Sequence, residues 1–110
     1  MKEVESLEAC VADIQNYTRI GKDRAASGRL MTYIERCISV RDLAAVDAFL
    51  LRFREDPSIN LTPRQMVSIL RTCHRIRIHL TEYDACLDRW YKELSDAGMG
   101  RMLAGIAHTR

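Results

Sequence analysis

Arginine is the residue type in this chain whose spacing points most directly to a chemical role, the binding of anions. Fourteen arginines stand against three lysines, and a guanidinium makes planar, bidentate contacts with phosphate that an ammonium group cannot make. Arg64, Arg71 and Arg75 follow one another at helical spacing, and residues 61–81 contain no carboxylate. The pattern predicts a basic surface that binds a phosphate backbone.

A second set of basic residues lies about 36 positions earlier. Arg29 and Arg36 are at helical spacing, and Lys22 and Arg24 lie in the predicted loop before them. The candidate nucleic-acid-binding residues are therefore Lys22, Arg24, Arg29, Arg36, Arg64, Arg71 and Arg75. The same charges are also compatible with an acidic protein partner, or with helix surfaces that are charged only because they face water.

Cysteine and histidine also have reactive side chains, but their spacing does not favour a reactive site. The apolar stripes contain all four cysteines, Cys10, Cys37, Cys73 and Cys86, and there cysteine acts as a small hydrophobic residue. A zinc site would have to use Cys73-His74, His79 and Cys86, which include no CxxC pair. No phosphate-binding glycine loop, nucleophile motif or zinc-protease motif occurs. We therefore expect no enzyme activity, metal site or cofactor.

Helices are the elements that must position these side chains. Glycine and proline are scarce and separate segments in which apolar residues recur every three or four positions. The segment Thr62-Pro63-Arg64-Gln65 predicts a helix start with a capping box. Further helix starts are predicted by the capping residues Ser6, Ser27, Asp42 and Thr81. The apolar stripes also place Tyr33 and Trp90 in the core.

The helices recur with a period of 36 to 37 residues. VDAFLLRF (46–53) matches YDACLDRW (83–90) at a shift of 37, and the preceding helices match at a shift of 36. This predicts one all-α domain over 1–110, a right-handed stack of antiparallel helical hairpins with five to six helices, which is a fragment of an α-solenoid. Its parts are a half-unit at 1–20, unit 1 at 27–56, unit 2 at 62–97 and a partial unit at 98–110.

The segment LTPRQMVSILRTCHRIRI followed by YDACLDRWYKEL resembles the helical-hairpin repeats of organellar RNA-metabolism proteins, the pentatricopeptide, octotricopeptide and FAST-kinase-like group. The features that carry the resemblance are the Thr62-Pro63 start, the core residues Met66, Ile69 and Leu70, and the core residues Leu87 and Trp90. The resemblance implies RNA as a ligand, a ribonucleoprotein context and a mitochondrial location. A cytoplasmic location is the alternative, and no apolar run reaches the roughly 18 residues of a membrane span.

Charge alternates with the repeat. The net charge is +4 over residues 61–81 and −3 over residues 82–97, so the first helix of a unit is basic and the second is acidic. We therefore expect a non-catalytic binding module that contacts RNA through the basic face of the first helices. The alternative is a protein–protein scaffold or structural subunit without nucleic-acid contact, which binds neighbours through exposed hairpin ends. That alternative would be favoured by exposure of Leu7, Val11, Leu103 and Ile106.

Overall fold

Six α-helices and one short 3-10 turn make up the secondary structure of residues 5–108, the part of the chain that the computed structural model describes, with side chains described as far as Ile106. The elements are α1 (Leu7–Arg19), α2 (Asp23–Ser39), α3 (Leu43–Glu55), α4 (Pro63–His74), the 3-10 turn (Arg77–His79), α5 (Tyr83–Asp96) and α6 (Gly100–His108). These residues include no strand, so the all-α prediction is confirmed. None of these helices is long and apolar enough to cross a membrane.

Three helices begin at the capping residues that the sequence indicates. The Ser6 hydroxyl accepts from the Ala9 amide at 3.2 Å, and the Asp42 carboxylate accepts from the Ala45 amide at 3.0 Å. At the start of α4 both halves of a capping box form between Thr62 and Gln65. Each cap satisfies backbone N–H groups that have no partner inside the helix.

The predicted start of α2 at Ser27 is wrong, because α2 begins four residues earlier at Asp23. The chain leaves α1 through a tight turn in which Gly21 has a φ of 77°, and this turn leads directly into the next helix. Ser27 lies inside α2, where its hydroxyl accepts from Gln65 Nε2 at 2.9 Å. Arg24 therefore lies in the first turn of a helix and not in a loop.

The start of α5 is capped by another helix, and not by Thr81 as the sequence predicts. The Asp47 carboxylate of α3 accepts from the backbone amides of Thr81 and Glu82, each at 3.0 Å, and from the Thr81 hydroxyl at 3.1 Å. Thr81 is thus a donor to a residue 34 positions away. The contact ties the first turn of α5 to α3.

Each helix packs mainly on helices that are adjacent or next but one in the chain. α1 contacts α2 and α3, α2 contacts α3 and α4, α5 contacts α3 and α4, and α6 contacts α4 and α5. The apolar stripes meet in one core, and Tyr33 and Trp90 belong to it as predicted. The described part of the chain measures 37 × 33 × 20 Å, so the helices form a flattened body.

The helices α1, α3 and α5 share a burial pattern over residues 7–14, 46–53 and 83–90. In each octet the fourth, fifth and eighth residues are buried, and the third and sixth are exposed. The second residue is always acidic and the third is always alanine. The structure therefore matches α1 to α3 at a shift of 39.

Candidate nucleic-acid interface

Arg29 is already engaged within the protein. Its Nε donates to Asp13 Oδ2 at 2.8 Å and its Nη2 donates to Glu5 Oε2 at 2.7 Å, and the side chain is only 18% exposed. The hydrogen bond to Glu5, and after it the one to Asp13, raises the pKa of Arg29 against the opposing effect of burial. These contacts tie α1 to α2, so this guanidinium does not contribute to an open basic surface.

The other six candidate residues are exposed and form no ion pair with any residue between 5 and 106. They are Lys22, Arg24, Arg36, Arg64, Arg71 and Arg75. α2 carries Arg24 in its first turn and Arg36 in its last, and α4 carries Arg64 in its first turn and has Arg75 as its C-cap residue. Because α2 and α4 pack on each other, one pair of neighbouring helices carries most of this charge.

Gln65 joins these two helices, a role that sequence reasoning missed. It is 6% exposed; its Oε1 accepts from the Thr62 amide at 2.8 Å and its Nε2 donates to the Ser27 hydroxyl at 2.9 Å. One amide group therefore completes the capping box and also fixes the start of α4 against α2. Only the first role is visible in the sequence.

A groove of about 460 Å³ lies between α4 and α6, and its lining is basic and apolar. The residues that line it are Arg71, His74, Arg101, Met102, Gly105 and Ile106. No carboxylate is among these described lining residues, and the two arginines have no ion-pair partner within the described chain. The groove therefore combines positive charge with an apolar floor, which suits a ligand that has an anionic group and an apolar or aromatic part.

His74 connects this groove to α5. Its Nδ1 lies 3.1 Å from the Tyr83 hydroxyl, and the ring is partly buried. The contact orients the ring at the edge of the groove beside Arg71.

No family model, curated protein or solved structure matches this chain. Its function has to be inferred from the chemistry of its own surface.

The four cysteines pack in the core as free thiols, as predicted. Burial raises the pKa of Cys10 and Cys73 to about 12 and that of Cys86 to about 11. A thiol with so high a pKa is a poor nucleophile at neutral pH. Within the described residues no group of three His, Cys, Asp or Glu side chains is placed to hold a metal ion.

The apolar residues whose exposure would favour a scaffold are not exposed. Val11, Leu103 and Ile106 are buried, and Leu7 is partly buried. The large apolar side chains that do face solvent lie elsewhere, at Ile20, Val40, Leu51, Ile78 and Tyr91. Of these, Leu51 lies on α3 and Tyr91 lies on α5, so the acidic helix α5 also carries an exposed aromatic side chain.

Proposed function

We propose that this chain is a non-catalytic RNA-binding module that contacts the phosphate backbone through α2, α4 and α6. One observation carries the proposal: the arginines of the described chain divide into a paired and an unpaired group. Arg29, Arg52 and Arg54 each bind carboxylates of the same chain. The exposed cations of α2 and α4, together with Arg101 of α6, have no such partner among the described residues and are available to bind an external polyanion.

The proposed architecture is a right-handed stack of helical hairpins in which α2, α4 and α6 lie on one side. Support comes from the packing order, in which each helix contacts the helix after next, as α2 contacts α4 and α4 contacts α6. In such a stack each unit contributes its basic helix to one continuous surface. An RNA strand lying along that surface meets several guanidinium groups in succession.

The test is a titration of a fluorescently labelled single-stranded oligoribonucleotide at several salt concentrations. Binding should weaken by roughly 0.7 log units per log unit of salt for each phosphate contacted. Exchanging both Arg71 and Arg75 for glutamate should abolish binding and leave the helical circular dichroism signal unchanged. No binding by the wild-type protein at low salt would refute the proposal.

The matched control reverses two equally exposed cations on the acidic helix α5, Arg89 and Lys92, to glutamate. This variant carries the same change in net charge as the Arg71 and Arg75 variant. It should keep most of the affinity if the basic helices form the site. Equal losses in the two variants would show that net charge alone attracts the RNA.

A further inference from the structure

An acidic residue occupies the second position of the shared octet in α1, α3 and α5, as Glu8, Asp47 and Asp84. In the first two helices this carboxylate contacts the next helix of the same type. Glu8 of α1 accepts from the Arg52 guanidinium of α3. Asp47 of α3 accepts from the first turn of α5. The position therefore contacts the following helix of this type in both cases, at the last turn of α3 and at the start of α5, and only the second contact binds a helix start.

The contact between α3 and α5 shows what binding a helix start requires. Besides the hydrogen bonds of Asp47, the Cys86 thiol donates to the Leu50 carbonyl at 3.4 Å, and Arg54 Nη2 lies 2.8 Å from Glu82 Oε1. Residues 47, 50 and 54 lie on the same face of α3. That face binds the start of α5 through one carboxylate, one backbone carbonyl and the guanidinium of Arg54.

The same face recurs on α5, where Asp84, Leu87 and Tyr91 lie at the places of residues 47, 50 and 54. Asp84 is exposed and has no hydrogen bond or ion pair with any described residue. Tyr91 is 56% exposed and has a hydroxyl that donates or accepts a hydrogen bond. Asp84, the α5 backbone and Tyr91 thus offer polar groups at these three places. Within the described chain, no helix start packs against them.

We infer that this face of α5 is a docking surface for the N-terminal turn of a helix from another protein. The occupant would lie beside α5 as α5 lies beside α3, which continues an interface already present in the molecule. A helix N-terminus offers unpaired N–H groups and the positive end of the helix dipole, so it complements a carboxylate. The partner turn has two available backbone amides and a Ser or Thr hydroxyl, as at Thr81 and Glu82.

The helix starts within residues 5–108 do not supply the occupant. In the described residues α1, α3 and α4 have their own side-chain caps and α5 is capped by Asp47. The starts of α2 and α6 follow directly on turns in which the amides of Lys22 and Met99 already donate to the preceding helix. The Ser6 cap binds only the Ala9 amide, so α1 of a second copy remains a competing start, but the carboxylates of Glu5 and Glu8 lie beside it, and their repulsion of Asp84 favours a different protein.

The experiment supplies a helix start of the required chemistry within the full chain. Residues 61–98 are inserted a second time after Gly98, so that the inserted copy of Thr81 and Glu82 follows Asp84. The extended chain should unfold in urea in one transition. Asp84→Asn in the first copy of the unit should lower the midpoint by as much as Asp47→Asn does. Two separate transitions would overturn the inference, because an added unit that docks on α5 as α5 docks on α3 should unfold together with the rest of the chain.

Two controls isolate the contact. Asp84→Asn in the natural chain should lower the urea midpoint only slightly, through the lost interaction of its charge with the N-terminal end of the α5 dipole, because no described residue binds that carboxylate. Asp88→Asn, one turn further along the same helix and also exposed, should be neutral in both chains. If Asp84→Asn is neutral in the extended chain while Asp47→Asn is destabilising, the docking surface does not exist.

Sedimentation of the natural chain decides between a different protein and a second copy as the occupant. The inference expects a monomer over the accessible concentration range, with no difference between wild type and Asp84→Asn. A dimer that Asp84→Asn dissociates would overturn the assignment to a different protein. Neither outcome depends on RNA binding, because the surface contains none of the proposed phosphate-binding residues.

Discussion

Some charged residues of this protein form hydrogen bonds and ion pairs that stabilise the fold, whereas others face solvent without such a partner among the described residues. Asp56 is of the first kind. Its carboxylate accepts from Arg52 Nε at 2.7 Å, and from the amide and hydroxyl of Ser58 at 2.9 and 2.6 Å. These contacts, those with Ser58 first, lower the pKa of Asp56 from 3.8 to about 2. The charged form is therefore favoured in the folded state, which couples stability to pH.

Asp56→Asn should change the acid sensitivity of the fold. A carboxyl group whose pKa is lower in the folded state stabilises it fully above the unfolded pKa of 3.8, and this stabilisation is lost as the pH falls towards 2. The wild type should therefore lose stability relative to Asp56→Asn between about pH 4 and pH 2. Urea midpoints measured across that window test this. Asp96→Asn, at an exposed carboxylate, serves as control, and parallel curves for wild type and Asp56→Asn would contradict the prediction.

At the scale of elements, three helices end in the same kind of turn. After α1, α2 and α5 one residue adopts a positive φ, 77° at Gly21, 59° at Arg41 and 77° at Gly98. The following amide then donates to a carbonyl in the last turn of the helix, as Asp42 does to Cys37 at 2.9 Å. Glycine adopts this conformation readily, whereas a side chain costs about 1 kcal/mol or more there.

Arg41→Gly should therefore raise the free energy of unfolding, by up to about 1 kcal/mol after the greater flexibility of glycine in the unfolded chain is subtracted. Arg41→Ala is the control, since it removes the charge and keeps the unfavourable backbone conformation. Chemical denaturation measures both. Stabilisation by the alanine variant to the same extent would show that the charge, and not the backbone, is responsible.

Gly98→Ala should have the opposite effect and lower the free energy of unfolding by about 1–2 kcal/mol. A Cβ atom at this residue would meet no other atom within 4 Å, so the cost comes from the backbone alone. Thermal and urea denaturation should agree on the loss. An unchanged stability would mean that the turn relaxes to another conformation without cost.

At the scale of the whole molecule, the core is continuous from α1 to α6 and includes all four cysteines. Their thiols are fully buried, so a reagent in solvent reaches them only when the fold opens. Burial also raises the pKa of each thiol above its ordinary value. Chemical access to the thiols therefore reports opening of the structure.

The four thiols should react with a disulfide reagent at pH 8 only as fast as the protein opens. The expected result is slow labelling of all four, accelerated by urea in parallel with unfolding. Ser39→Cys places a thiol at an exposed residue of α2 and should label at once. Rapid labelling of any native cysteine would contradict the buried placement of that residue.

Local signals in the sequence predicted the elements well. The Thr62–Gln65 capping box, the Asp42 cap and the core residue Trp90 each depend on neighbours within about one or two helical turns. The predictions at Ser27 and Thr81 were wrong for a shared reason. Both residues look like caps, but their hydroxyls bind Gln65 and Asp47, which are 38 and 34 positions away. Capping propensity alone carries no information about such distant partners.

The helices, their apolar faces and the alternation of basic and acidic segments could be predicted from the sequence, because each of these depends on residue type and on spacing within a helix. Which charged side chains find a partner and which face solvent depends on how the helices pack. Arg29 binds Asp13 and Glu5, 16 and 24 positions away, whereas Arg71 and Arg75 meet no carboxylate in the described chain. Ion pairs form between groups that folding brings within a few ångströms, and that proximity arises from helix packing.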